Sequence, residues 1–208
     1  MTDKITTLHD FDKEYYKDHP LLCGTDEAGR GPLAGDVFAA AVILAPDTVI
    51  EGINDSKKLT AKKREKLFDE IKDKALYWSI KTASVAEIEK YNILNCAMLA
   101  MKRAVESLGV VPDIVLADGN KTPDLACPVQ YVVKGDALSQ SIAAASILAK
   151  VARDRYMEEM AVKYPQYAFD KHKGYGTKLH YQMIDKYGPS EIHRMSFLKK
   201  YYAAKNKP

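Results

Sequence analysis

The stretch 23-CGTDEAGRGPLAGDVFAAAVILA-45 sets two adjacent carboxylates, Asp26 and Glu27, directly before a glycine-rich loop, and then runs into nine consecutive apolar residues, 37–45. A continuous apolar run of that length is what a buried strand needs. Residues 21–25 lead into the acids, so the two segments are expected to be a hairpin or two neighbouring strands with the acids at the open end. Neighbouring residues of a regular strand point to opposite faces. Asp26 and Glu27 can therefore serve one site only where the chain is leaving strand geometry, and Ala28-Gly29-Arg30-Gly31-Pro32 offers that exit. Either the acids are turn and cap residues, or they are metal ligands beside a loop that touches a substrate.

Working outward, Thr60 is placed to cap a helix through AKKREKLFDEIKDKA, with Leu67 and Ile71 on its apolar edge. YWSIKTASV alternates as a strand. Residues 92–108 carry Leu94, Ala97, Met101, Val105 and Leu108 at helical spacing, and Gly109 offers a stop. Pro112 opens the short strand DIVLAD, which ends on Asp118 before Gly119-Asn120. PVQYVVKGD reads as a further strand and 138–163 as a long helix, with Asp136 between them. Strands alternating with helices after an initial strand pair give a mixed α/β domain. The chain is expected to form one domain over 1–208, with 1–18 and 200–208 as loose ends and a helical, basic subregion over about 165–200.

At 208 residues and 47% hydrophobic composition the chain can bury one sizeable core. Its apolar runs fall short of the ~20 residues that span a bilayer. The charged N-terminal stretch is unlike a signal peptide, so no membrane association and a cytoplasmic location are expected. Cys23, Cys96 and Cys127 are odd in number and widely spaced, and read as reduced thiols, mostly buried. The net charge of +3 hides an asymmetry: residues 171–208 hold nine Lys/Arg against two Asp/Glu. A basic end interleaved with Tyr175, Tyr181 and Tyr187 suits a phosphate backbone, although a solvated lysine-rich face is the commoner cause.

Asp26, Glu27, Asp118 and Asp136 all stand at strand ends, where α/β folds form ligand crevices. Singly, Asp136 could be a helix cap and Asp118 a turn residue. Two adjacent like charges call for a cation or an exposed setting, and the joint placement favours a site. An all-carboxylate set without cysteine or histidine suits magnesium or manganese rather than zinc. Asp154 shares a helical face with Asp136 but would lie ~27 Å away along a helix axis, so it is assigned to an arginine pair or to the helix surface.

CGTDEAGRGPLAG, DSKKL (55–59), LADGN (116–120), KGD (134–136), AAASILAKVARD (143–154), HKGYGT (172–177) and HRMSF (193–197) together resemble, in order, the motifs of bacterial ribonuclease HII. The resemblance implies a ribonuclease H-like fold, a mixed β-sheet flanked by helices with a helical C-terminal part. It also implies endonucleolytic cleavage of RNA in RNA/DNA hybrids, and at single ribonucleotides embedded in duplex DNA, on the 5′ side of the ribonucleotide. Asp26, Glu27, Asp118 and Asp136 would be the metal-binding and catalytic acids, with two Mg2+ or Mn2+ ions during catalysis. Gly29, Arg30, Gly31 and Tyr175 would recognise the RNA-to-DNA junction, the tyrosine packing on the neighbouring deoxyribose. Lys57, Lys58, Lys173, Lys178, His193 and Arg194 are candidate phosphate contacts, and the roles of His172 and His180 are open. The family implies a monomer, and no protein partner is legible. Asp36 stands where the family commonly has proline, and Ala117 where a larger aliphatic residue is usual; Asp36 adds charge near the loop.

Rival readings are weaker. GRGPLAG fits neither the phosphate loop nor the dinucleotide fingerprint. A non-catalytic nucleic-acid-binding module needs no acid cluster, whereas a different metal-dependent nuclease or phosphatase remains chemically open.

Overall fold

A computed structural model describes residues 7–205. Five strands, β1 (Leu22–Ala28), β2 (Val37–Leu44), β3 (Ala75–Ala83), β4 (Ile114–Asp118) and β5 (Val129–Val132), form one sheet in the order β3-β2-β1-β4-β5. The pairs β1–β2 and β2–β3 are antiparallel, whereas β1–β4 and β4–β5 are parallel. The helices are α1 (Leu8–Tyr16), α2 (Ala61–Lys74), α3 (Val85–Tyr91), α4 (Ile93–Glu106), α5 (Gln140–Lys163), α6 (Phe169–His172), α7 (Lys178–Tyr187) and α8 (Met195–Lys205). The five expected strands and the helices expected over 61–75, 92–108 and 138–163 are present, and α3 and α1 are additional; Ser84 caps α3 through a reciprocal bond pair with Glu87.

The apolar run of β2 is buried on both faces and divides by the two-residue pleat. Ala40, Val42 and Leu44 pack with Leu67, Phe68 and Ile71 of α2 and with Ala144, Ile147, Leu148 and Val151 of α5. Ala39 joins Cys96, Ala97, Ala100 and Met101 of α4 on the opposite face, and Ala41 and Ile43 join Ala104 and Val105 there. The first half of α5 is buried almost all round because it is sandwiched, with Gln140, Ser141 and Ser146 as its buried polar members. Its N-terminus lies directly on β1 at Gly24, where a Cβ would collide with the Ser141 backbone. That close approach brings the loop before α5 against the ends of β1 and β4.

Two expectations about the termini change. Residues 8–16 are not a loose end but α1, started by a Thr7–Asp10 capping box and docked by Phe11, Tyr15 and Tyr16 beside Leu22 and Ile142. Residues 200–205 continue α8, while residues 1–6 and 206–208 lie outside the described residues. Among the described residues no helix is long and apolar enough to cross a membrane. Cys23 and Cys96 are buried thiols and Cys127 is half-buried, all unpaired.

Candidate active site

The parallel register aligns Thr25 of β1 with Ala117 of β4, so Asp26 and Asp118 are the next step along neighbouring strands. Both lie two-residue multiples from Leu22 and Leu116, which meet Ile142 of α5, and so face that side of the sheet. Asp136 arrives from the short 3-10 turn Gly135–Ala137, and its backbone N–H donates to Asp118 Oδ1 at 3.3 Å. It is not the cap of α5, because Ser139 fills that role by accepting from Ile142 N. One oxygen from each of Asp26, Asp118 and Asp136 lies within 4.8 Å of the other two.

Packing carboxylates this closely has an electrostatic cost. Burial, then the charges of Glu27 and Asp118, hold the Asp26 carboxyl well above the ordinary range, while a Ser146 hydrogen bond opposes the shift. Burial and Asp118 also raise Asp136, against Lys57, whose Nζ lies 3.3 Å from Asp136 Oδ2. An oxygen-only donor set of two buried carboxylates, Asp26 and Asp136, and the half-buried Asp118, packed this closely, fits a hard divalent cation whose charge would offset their mutual repulsion.

Glu27 is set apart. β1 keeps strand pairing through Ala28, so the expected exit at the acids comes later and the pleat turns Glu27 away from the face of Asp26. Its carboxylate pairs with Arg30 at 3.1 Å and lies outside the group of three, although it lines the same cleft. Burial raises its carboxyl and Arg30 opposes the rise.

The cleft, about 410 Å³, also takes in Gly29, Arg30, Gly31, Lys57 and Tyr175. Tyr175 is 43% exposed, and a Cβ built on Gly31 would lie 3.6 Å from its ring. A larger cavity of about 590 Å³ beside Leu8, Val49 and Leu138 gathers no carboxylate cluster, so chemistry rather than size selects the site.

Two buried arginines shape the loop. Arg194, expected to hold phosphate, is fully buried and donates to the carbonyls of Gly29, Arg30, Pro32 and Gly35 at 2.6–3.1 Å. Burial lowers its pKa to about 9. His193, another candidate phosphate contact, is also buried, with Ser190 and His180 as partners. Arg153, which drew no notice in the sequence, donates to Ala34, Asp36 and Lys173 carbonyls. Gly29 has φ +103°, and a Cβ there would strike the Arg153 side chain, so both backbone and space demand glycine. Lys173 is engaged by Glu158 and the Asp170 carbonyl, while Lys58 and Lys178 are exposed. Asp36 accepts from Val85 N at the start of α3.

Serines and the excluded aspartate complete the surroundings. Ser56 and Ser146 share a buried 2.9 Å hydrogen bond beside Asp26; neither was singled out, because a lone serine carries no pattern. Asp154 pairs with Lys150 at 2.6 Å and with Arg64 at 3.8 Å. Arg64 in turn donates to the Ser56 and Leu59 carbonyls, so Asp154 supports the DSKKL loop rather than a metal.

The family model described as ribonuclease HII matches residues 23–200. The ribonuclease HII of Idiomarina loihiensis is 62% identical over 177 residues, covering 85% of this chain and 95% of that protein. Among solved structures, the ribonuclease H2 from Pyrococcus horikoshii OT3 is 27% identical with a TM-score of 0.70, covering 84% of this chain and 92% of that one. Bst ribonuclease HIII in complex with Mn2+ has a TM-score of 0.68 over 90% of this chain and 70% of that one; at 17% identity it shares the fold alone. The matched span contains the three convergent aspartates, Glu27 and the loop that the buried arginines hold, and on that combined ground the chain belongs to the ribonuclease HII family of hydrolytic endonucleases.

Proposed function

We propose that the protein is a metal-dependent endoribonuclease that cleaves RNA in RNA/DNA hybrids and at single ribonucleotides within duplex DNA. The cut falls 5′ of the ribonucleotide, leaves 3′-hydroxyl and 5′-phosphate ends, and serves the removal of misincorporated ribonucleotides. The observation that carries this reading is the convergence of the Asp26, Asp118 and Asp136 carboxylates at a cleft that a glycine-containing loop and a half-exposed tyrosine line.

Asp26, Asp118 and Asp136 would hold the cation, with Glu27 at the rim as the fourth acid. Divalent cations there, Mg2+ or Mn2+ and two during cleavage, supply charge stabilisation to the attacking and leaving oxygens of an in-line displacement. Lys57, beside Asp136, sets a positive charge at the cleft wall for a phosphate, with Lys58 next to it. Gly31 leaves room for the backbone to approach a sugar, where the 2′-hydroxyl distinguishes RNA from DNA, and Gly29, whose missing Cβ makes way for Arg153, offers its main chain beside it. Arg30 stays in place through Glu27, and Tyr175 presents its ring to the deoxyribose that follows. The protein is taken to act as a monomer in the cytoplasm.

The test is cleavage of a labelled DNA duplex containing one ribonucleotide, beside an all-DNA duplex, in magnesium or manganese. A single cut 5′ of the ribonucleotide is expected, reduced at least ~1,000-fold by Asp118→Asn, in line with losing a group that acts mainly on the transition state. Equal cutting of the all-DNA duplex would move the protein to a general metal-dependent nuclease, and tight binding without any cut would make it a non-catalytic module.

A further inference from the structure

Behind Tyr175, away from the cleft, lie three buried histidines whose rings pack together: His172 stacks on His180 at 4.3 Å between centroids, and His193 lies 5.1 Å from His180. All six ring nitrogens have protein partners. The backbone N–H of Ser190 donates to His193 Nδ1 at 2.8 Å, which leaves the His193 proton on Nε2. That nitrogen is 3.0 Å from His180 Nε2, which must accept, so His180 carries its proton on Nδ1 and donates it to the Tyr175 carbonyl at 2.9 Å. In parallel, Gly174 N–H donates to His172 Nδ1, and His172 Nε2 donates to the Tyr167 carbonyl at 2.9 Å. One neutral tautomer set satisfies every bond. With no nitrogen left over, the cluster is neither a metal site nor a general base.

The chain of donors runs one way, from Ser190 through His193 and His180, and stops on the main chain of the residue whose ring enters the cleft. Tyr175 N–H is held from the same side by the His172 carbonyl at 2.9 Å. The ring itself stays half exposed over the edge of Gly31. We infer that His180 and His193, with His172 stacked beneath, are positioning residues that fix Tyr175 against the Gly-Arg-Gly loop and thereby set the preference for a ribonucleotide followed by a deoxyribonucleotide. The inference rests on Tyr175 being the group that packs on the substrate.

The experiment compares kcat/KM on a duplex with one embedded ribonucleotide against a continuous RNA/DNA hybrid; the ratio of the two is independent of the fraction of folded enzyme. Tyr175→Ala is expected to lower the ratio at least ~10-fold. His180→Phe keeps the ring stack but removes both hydrogen bonds, and is expected to lower the ratio by a similar factor. His180→Asn, whose amide can restore the donor to the Tyr175 carbonyl, is expected to bring it back to within ~3-fold of wild type. In the Tyr175→Ala background, His180→Phe should lower the ratio no further. A ratio unchanged in His180→Phe while Tyr175→Ala lowers it overturns the histidine assignment alone, and a ratio unchanged in Tyr175→Ala overturns the reading of the tyrosine on which it rests.

Discussion

Among the described residues no carboxylate pairs directly with Arg194; what stabilises its buried charge is a ring of main-chain carbonyls from Gly29 to Gly35. Removing the guanidinium would leave those oxygens without donors in a dry setting, which costs more than the loss of one exposed contact. Arg194→Met is expected to lose ~3–5 kcal/mol in urea unfolding, with Arg194→Lys recovering only part because an ammonium cannot reach several carbonyls at once. A loss under ~1 kcal/mol would show that the loop holds itself. The same residue shows where sequence reading stops. Asp26, Asp118 and Asp136 were legible as a set because their joint placement at strand ends outweighed the cap and turn readings that Asp136 and Asp118 allow singly. Arg194 sits in a basic stretch, and nothing local tells a guanidinium meant for phosphate from one meant for carbonyls some 165 positions away. Glu27 was half legible: the alternation of a strand separates it from Asp26, and only the length of β1 decides how far that alternation persists.

At the scale of elements, α1 is attached to the site through Asp12, which is fully buried and accepts from both Ser141 N and Ser141 Oγ at 2.8 Å in the first turn of α5. Among the described residues its other oxygen makes no hydrogen bond, and burial raises the carboxyl from 3.8 to about 6 against the neighbouring Ser139 and Ser141. The folded state therefore binds this proton more tightly than the unfolded chain. The stability it contributes is full below the unfolded value and is lost as pH rises through about 6. Compared with Asp12→Asn, the wild type is expected to lose up to ~3 kcal/mol between pH 4 and 8, read as the difference in unfolding free energy at each pH; parallel pH curves for the two proteins would sink the idea. This helix was hidden in the sequence by its charges, although the Thr7–Asp10 cap and the four-residue spacing of Phe11 and Tyr15 were visible. What could not be seen locally was the apolar ledge made by Leu22 and Ile142.

For the whole molecule, the basic bias of residues 171–208 is smaller at the surface than in composition. Arg194 is internal, and Lys171, Lys173 and Lys205 are paired with Asp170, Glu158 and Asp185. Binding of the Asp118→Asn variant to an RNA/DNA hybrid is accordingly expected to weaken with salt at a log–log slope of about −4; a slope beyond about −7 would mean that most of those cations reach phosphate after all. Strand order is the other property of this scale that the sequence concealed. Each strand was recognisable from its own residues, but placing β1 between β2 and β4 depends on how α5 crosses the sheet, a contact between distant parts of the chain.

The clamp from Arg194 to the loop after β1 also imposes an order in time. A chain made from its N-terminus presents all four acids once residue 136 has emerged, yet the carbonyls at 29–35 receive their donors only when residue 194 arrives. During synthesis the acids thus emerge well before the residue that holds the neighbouring loop in shape, and that loop is the last part of the cleft to gain its anchor.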